Sequence, residues 1–159
     1  MTTNISSNRL ADLVVEALER TAFLLADAMP PEAKDEFDRP SWFSTINYTG
    51  TSGGAVFLAA SEGFVRELAS SLLGVEHDEV DMDTHGRDAV NELANIVGGS
   101  VTLDLGSDTQ QFSLGLPEAA ASDNMPMPGE AVTQCFIESE GELLIVTHVV
   151  ITQSGKLAA

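Results

Sequence analysis

The stretch from Asp88 to Ser100 carries the residues of this chain whose spacing is best suited to chemistry. An α-helix advances about 100° per residue, so residues three and four positions apart share a face. On that spacing one face is apolar, and the opposite face holds amides and carboxylates where an ordinary exposed helix alternates lysine and glutamate. The apolar face consists of Ala89, Val90, Leu93, Ala94, Ile96 and Val97. The polar face consists of Asp88, Asn91, Glu92 and Asn95, with His85 ahead of it.

The polar face has more than one interpretation. Glu92 and Asn95 need have no function, because a glutamate and an amide three positions apart are common on solvated helices. His85, Asp88 and Glu92 stand at i, i+3 and i+7, a spacing that would let them share a divalent metal ion. The sequence offers no evident fourth ligand, and Gly86 loosens the helix where a metal site needs rigidity. We therefore expect no metal or other cofactor to be bound by this chain.

The order Asp88-x3-Glu92-x2-Asn95, followed downstream by Pro117, resembles the signature of the CheC/CheX family of chemotaxis phosphatases. The run Glu-Leu-Ala-Asn-Ile-Val-Gly-Gly, which contains Glu92 and Asn95, is similar to the best-marked helix of that family. Twenty-one residues separate Asn95 from Pro117, one fewer than in the family pattern. This departure concerns the role of Pro117 and not the roles of Glu92 and Asn95. The resemblance implies a CheX-like domain with a single active helix, and a homodimer.

By this resemblance the chain is a phosphatase that hydrolyses the aspartyl phosphate of a CheY-like response regulator. An acyl phosphate is labile, and the regulator carries its own metal ion, expected to be Mg2+, so the enzyme need only position a water molecule. A carboxamide suits this task because it donates and accepts hydrogen bonds without titrating, much as a glutamine orients the attacking water in small GTPases. Asn95 would take that role and Glu92 would pair with a lysine of the regulator, with Asp88 and Pro117 in supporting roles. The alternative is a noncatalytic adaptor that binds a receiver domain, or a flagellar or signalling component, through the same helix.

Composition narrows the class of protein. The chain has 159 residues, 43% of them hydrophobic, and we expect one domain over residues 1–155 with a substantial core. Residues 156–159 resemble a vector-derived tail. A formal charge of −18 without a basic cluster disfavours nucleic acid and anionic membrane surfaces as partners. The single cysteine, Cys135, together with the lack of a leader-like or membrane-spanning stretch, predicts a cytoplasmic protein without membrane insertion.

The first half of the chain predicts a helix followed by a β-hairpin. Apolar residues recur at helical spacing over Asn8–Ala28, with Asn8 as the candidate N-cap and Met29-Pro30-Pro31 as the stop. Alternation from Ser41 onwards predicts a strand, and a glycine-rich turn leads to a second, more buried strand over Ala55–Ala59.

The second half predicts two helices and three strands. Ser61 is a candidate N-cap of a helix that runs to Leu73 and ends at Gly74. The central helix is expected to open at Thr84 and to end near Gly98-Gly99, and the apolar residues Val101, Leu103 and Leu105 beyond it either continue the helix or begin a strand. The strands are expected at Gln111–Leu116, Glu130–Glu138 and Glu142–Thr152, with a long loop over Pro117–Gly129.

These elements predict an α/β fold in which two long helices pack on a mostly antiparallel sheet. Asp12, Glu16 and Glu19 in the first helix repeat the spacing of the central one, which suggests a pseudo-repeat of a helix-plus-hairpin unit. Chance explains such spacing about as well, because polar residues recur in this way on most amphipathic helices. By resemblance to the family, Glu19 stands where an active copy has asparagine, so the first copy would be a retired site.

Overall fold

A computed structural model of the protein describes residues 5–106, 111–121 and 132–151. Within these ranges three α-helices lie against one face of a seven-stranded β-sheet. The helices are α1 (Ser7–Ala17), α2 (Glu62–Leu73) and α3 (Arg87–Leu105). The strands are β1 (Asp27–Met29), β2 (Trp42–Gly50), β3 (Gly53–Ala60), β4 (Phe112–Leu114), β5 (Glu118–Ala121), β6 (Val132–Ser139) and β7 (Glu142–Ile151).

Every strand pairing in this sheet is antiparallel. The strand order is β1-β6-β7-β3-β2-β4, and β5 also pairs with β2. The two predicted hairpins, β2–β3 and β6–β7, form the centre of the sheet and meet where β3 pairs with β7. The predicted fold class, helices packed on a mostly antiparallel sheet, is confirmed.

The sheet has two apolar faces because successive side chains along a strand point to opposite sides. The helix-facing side forms the main core, in which α1 packs on β6 and α3 packs on β2. The opposite side carries a smaller cluster, and Phe37 packs against it. Phe37 belongs to the segment 30–41, which joins β1 to β2 and is called the strap below. The smaller cluster consists of Phe43, Ala59, Phe136, Leu143 and Ile145.

The first helix is shorter than the predicted span Asn8–Ala28. Ser6, not Asn8, is the N-cap, and its hydroxyl accepts a hydrogen bond from the backbone N–H of Arg9. A π-helical turn over Leu18–Ala22 follows α1, and Phe23 then adopts a left-handed conformation (φ 56°) that ends the helical backbone. The residues beyond it form β1, which pairs with β6. Strand pairing to a distant part of the chain thus overrides the local helical pattern.

The second helix is as predicted, and the third is longer. Ser61 caps α2 through its side chain, and Gly74 ends it with φ 71°. Thr84 lies in a π-helical turn, Met82–Gly86, that leads into α3, and α3 continues past Gly98-Gly99 to Leu105. The helix end predicted at those glycines was therefore wrong, and of the two alternatives for Val101, Leu103 and Leu105 the structure shows continuation of the helix.

The remaining strands differ from prediction in their bounds. β4 is three residues long, and β5 occupies the start of the predicted loop Pro117–Gly129. The rest of that loop, and the tail 156–159, lie outside the described residues.

No helix of the described ranges is both long enough and apolar enough to cross a membrane. The pseudo-repeat stays a prediction, although each half of the chain does lay its helix on the hairpin of the other half.

Candidate functional site

Helix α3 presents two chemically distinct faces, as its periodicity predicts. Its core face packs against β2 and the other helices, with Ala89, Leu93, Ala94 and Val97 at most 1% exposed. Ile96 was assigned to the same face and is only half-buried. On the opposite face Asp88 and Glu92 are exposed, and Asn91 and Asn95 are half-buried. The helix is therefore anchored on one side and offers its amides and carboxylates on the other.

The polar face of α3 forms one wall of a groove, and the C-terminal end of α2 forms the other. The groove has a volume of about 460 Å³, within the range of sites that hold small ligands. Leu73 leaves 39% of its surface exposed at the apolar rim. Helical periodicity carries no information about contacts between helices, so the sequence did not predict that Leu72 and Leu73 of α2 line this groove. The α2–α3 groove is lined by Leu72, Leu73, Asp88, Asn91, Glu92 and Asn95.

Asn91 ties the polar face of α3 to the sheet. Ser44 lies on β2 and is 1% exposed, and its hydroxyl donates a hydrogen bond of 3.3 Å to Oδ1 of Asn91. Since the amide oxygen is engaged by the buried hydroxyl, the amide nitrogen of Asn91 remains as a donor. The sequence placed Asn91 on the polar face and gave no signal for its partner, which is 47 residues away.

Arg87 links the start of α3 to β5. Its Nη1 donates a hydrogen bond to the backbone carbonyl of Ala119, and its guanidinium lies 5.7 Å from the centroid of the Trp42 ring. Pro117 is half-buried just ahead of β5 and is not one of the residues that line the groove. The structure therefore brings Asp88, Glu92 and Asn95 together in one groove, which Pro117 does not line.

Metal and thiol chemistry find no support in the described ranges. Nδ1 of His85 accepts a hydrogen bond of 2.9 Å from the backbone N–H of Asp81, so one ring nitrogen is already engaged. Among the described residues no three histidine, cysteine, aspartate or glutamate side chains are placed to share a metal ion. Burial raises the pKa of the Cys135 thiol to about 12, so at neutral pH it is protonated and a poor nucleophile.

The matching residues of the first helix lie in a different local setting from those of α3. Asp12, Glu16 and Glu19 are all exposed, and Glu16 forms an ion pair of 3.2 Å with Arg20. Glu19 lies in the π-helical turn, which holds more residues per turn than an α-helix, so the angular match with α3 is lost there.

Comparison with known families identifies one match. The model of the family described as "Chemotaxis phosphatase CheX" matches residues 43–139. This range covers more than half of the chain and contains all of α3, the groove and Pro117. Comparison with curated proteins gives no match.

Solved structures share the fold over most of the chain. The chemotaxis protein CheX from Vibrio vulnificus aligns with a TM-score of 0.76 at 15% identity, covering 95% of this chain and 99% of that one. A chemotaxis protein CheX from Desulfovibrio desulfuricans aligns at 0.72 and 16% identity, covering 89% and 96%. CheX of Borrelia burgdorferi, solved in complex with CheY, BeF3 and Mg2+, aligns at 0.71 and 15% identity, covering 90% and 96%. At these identities the likeness is one of fold.

Proposed function

This chain belongs to the CheX family of chemotaxis phosphatases, and from that premise we propose that it hydrolyses the aspartyl phosphate of a CheY-like response regulator. The observation that supports this most is the placement of Glu92 and Asn95 in one groove, within the matched range, on a helix whose other face is buried. The Borrelia relative is solved with CheY, which supports a receiver domain as the partner.

Asn95 is the residue that we assign to the attacking water. Its carboxamide offers a donor and an acceptor at neutral pH without titrating, so it can hold a water oxygen in line with the phosphorus. The water oxygen bonds to phosphorus, and the bond between phosphorus and the aspartyl oxygen breaks. The regulator's carboxylate leaves with the electron pair, and the water's proton passes to phosphate or solvent. Anchoring of α3 in the core limits the motion of the amide, and catalysis by positioning depends on such restraint.

Glu92 is the residue that we assign to docking. It lies one helical turn before Asn95 and is exposed, so a lysine of the regulator can reach it without the cost of burying an unpaired charge. A carboxylate held by that lysine sets the distance between the amide and the phosphoryl group. Asp88, one turn further back in the same groove, adds negative charge where the partner brings a cation.

The rest of the proposal concerns the partners. Mg2+ is held by the regulator, and no residue of this chain is assigned to it. Leu73 at the groove rim is exposed and gives the regulator an apolar contact beside the polar ones. By family resemblance we propose that the chain acts as a homodimer, which light scattering on the purified protein tests directly.

The first prediction tests Asn95. Response regulators from the same organism are phosphorylated with acetyl phosphate, and phosphate release is followed with wild-type protein and with Asn95→Ala. We expect wild type to accelerate hydrolysis and Asn95→Ala to lose on the order of 100-fold in rate, the usual effect of removing a positioned catalytic group. Because the side chain is only half-buried, the variant should fold normally.

Glu16→Ala is a control on the first helix, since Glu16 occupies there the position that Glu92 occupies on α3. It should leave the rate unchanged. Equal rates for wild type and Asn95→Ala would remove this asparagine from catalysis. Tight binding of the regulator without hydrolysis by wild type would identify the chain as an adaptor.

A further inference from the structure

A second cavity lies on the other side of the sheet from the α2–α3 groove. It has a volume of about 560 Å³, within the ~300–1,000 Å³ typical of sites for small molecules. The strap forms one wall and the strands β2 and β7 form the floor. The phosphatase proposal makes no use of it, because the sheet separates the two sites. The residues that line the strap cavity include Lys34, Asp35, Phe37, Arg39, Phe43, Leu143 and Ile145.

The floor of the strap cavity is apolar. Phe43, Leu143 and Ile145 belong to the smaller hydrophobic cluster and are 8%, 1% and 7% exposed. Phe37 reaches this cluster from the strap and is half-buried. A ligand with an apolar body would displace water mainly from Phe37 and would pack against the buried floor, and both effects favour binding in such pockets.

Two cations line the rim of the strap cavity, although the strap itself also carries Glu32, Glu36 and Asp38, which do not line it. The sequence has seven basic and twenty-five acidic residues, yet Lys34 and Arg39 both line this cavity with a single carboxylate, Asp35. The ion pairs formed among the described residues do not include Lys34 or Arg39. The Lys34 ammonium lies 5.7 Å from the centroid of the Phe136 ring, at the edge of the apolar cluster. Within the described ranges these two cations thus have no carboxylate partner, and they line a cavity with an apolar floor.

We propose that the strap cavity binds a small organic anion with an apolar body, of the chemical class of a medium-chain carboxylate. The apolar floor takes the body, and Lys34 and Arg39 take the carboxylate. The overall charge of −18 repels anions in general, so affinity depends on these two cations. A small molecule fits better than a protein segment because the cavity lies beneath the strap and has the volume of a small-molecule site.

Two probes of equal chain length separate charge from hydrophobicity. Decanoate and decanol are titrated into the full-length protein, and binding is followed by chemical-shift changes of the backbone amides of Leu143 and Ile145. We expect saturable shifts with decanoate and ~10-fold weaker binding of decanol, because a contact with an exposed cation is worth up to about a factor of five and the carboxylate makes two such contacts.

Two charge reversals provide the matched variants. Arg39→Glu should weaken decanoate binding by ~10-fold or more and leave decanol unchanged. Arg20→Glu alters the net charge by the same amount at an exposed position on the helical side of the sheet, and should change decanoate affinity by less than ~2-fold, a long-range effect that salt screens. The proposal is overturned if decanoate gives no shifts at Leu143 and Ile145, if decanol binds as tightly as decanoate, or if Arg39→Glu binds decanoate as well as wild type does.

Discussion

At the scale of single residues, Glu92 and Asn95 differ in how they are held, and this decides what each can do. Asn95 is half-buried in the groove that α3 forms with the end of α2, whereas Glu92, in the same groove, is exposed. A restrained amide suits the positioning of water, and an exposed carboxylate suits an ion pair that forms on docking. The two substitutions should therefore differ in their kinetic signature.

The second prediction concerns this difference. Glu92→Ala should weaken regulator binding as well as the rate, and the loss of affinity should shrink as salt is added, because an exposed ion pair is screened. Asn95→Ala should change the rate far more than the affinity. Dissociation constants at low and high ionic strength, measured beside the rates, test both statements. A Glu92→Ala variant with normal affinity at low salt would contradict the docking role.

A buried polar pair on the helix-facing side of the sheet gives a third prediction. His148 is fully buried, its Nε2 lies 2.7 Å from the hydroxyl oxygen of Tyr48, and its Nδ1 has no hydrogen-bond partner in the described part of the chain. Burial lowers the pKa of His148 from 6.5 to about 4. The unfolded chain therefore binds a proton between these values that the folded chain does not. The contribution of neutral His148 to the free energy of unfolding therefore has its full value above pH 6.5 and is lost as the pH falls towards 4.

From this shift we expect His148 to reduce the free energy of unfolding by about 2 kcal/mol between pH 7 and pH 5. Denaturant unfolding of wild type at the two pH values measures the change. The double variant Tyr48→Phe/His148→Phe replaces both partners by apolar rings of similar shape, and should lose this part of the pH dependence. An equal slope in both proteins would show that the folded state accepts the proton after all.

At the scale of elements, the position of α3 depends on how closely it approaches β2. A Cβ added at Gly98 would lie 3.0 Å from Cγ2 of Ile46 and 3.0 Å from Cδ1 of Leu114, whereas one added at Gly99 would meet nothing within 4 Å. Gly98 therefore allows the close packing of α3 on the sheet, whereas Gly99 has room for a side chain. Close approach of α3 to the sheet also allows the Ser44–Asn91 hydrogen bond beneath the groove.

The fourth prediction follows from that asymmetry. Gly98→Ala should destabilise the protein by up to about 2 kcal/mol, because overpacking a core costs about 1–3 kcal/mol and the helix preference for alanine offsets up to about 1 kcal/mol of that cost. Gly99→Ala should instead stabilise it by up to about 1 kcal/mol, because alanine is the better residue inside a helix. Thermal or denaturant unfolding of the two variants measures both. If Gly99→Ala proved as destabilising as Gly98→Ala, the close approach at Gly98 would not be the reason for the glycine.

At the scale of the whole molecule, the two halves of the chain are interlocked. Helix α1 packs on β6 and α3 packs on β2, so each half supplies the helix that covers the hairpin of the other. An ion pair of 2.6 Å between Arg9 and Asp104 also joins the start of α1 to the end of α3. Neither half can bury its own apolar sheet face, so folding should be cooperative across the sheet.

The fifth prediction tests this interlocking with a fragment. Residues 1–75 produced alone should lack a cooperative thermal transition, because β3 loses its partner β7 and β2 loses its cover α3. Circular dichroism of the fragment beside the full chain measures this. A fragment that melts cooperatively on its own would favour independent halves.

Local signals in the sequence determined the bounds of α2, the two central hairpins and the two faces of α3. The cap Ser61 and the stop Gly74 set the bounds of α2, and the alternation of strand residues set the two central hairpins, because these features act between near neighbours. Helical spacing likewise separated the core face of α3 from the face that carries Glu92 and Asn95.

Contacts between distant parts of the chain decided the rest. α1 ends early because the residues after it pair with β6, and α3 passes its glycines because Val101 beyond them is buried in the core. The leucines of the groove, the Ser44–Asn91 hydrogen bond and the strap cavity join segments that no local pattern relates. A one-dimensional pattern specifies which face of an element is buried, and only the packed structure specifies what that face is buried against.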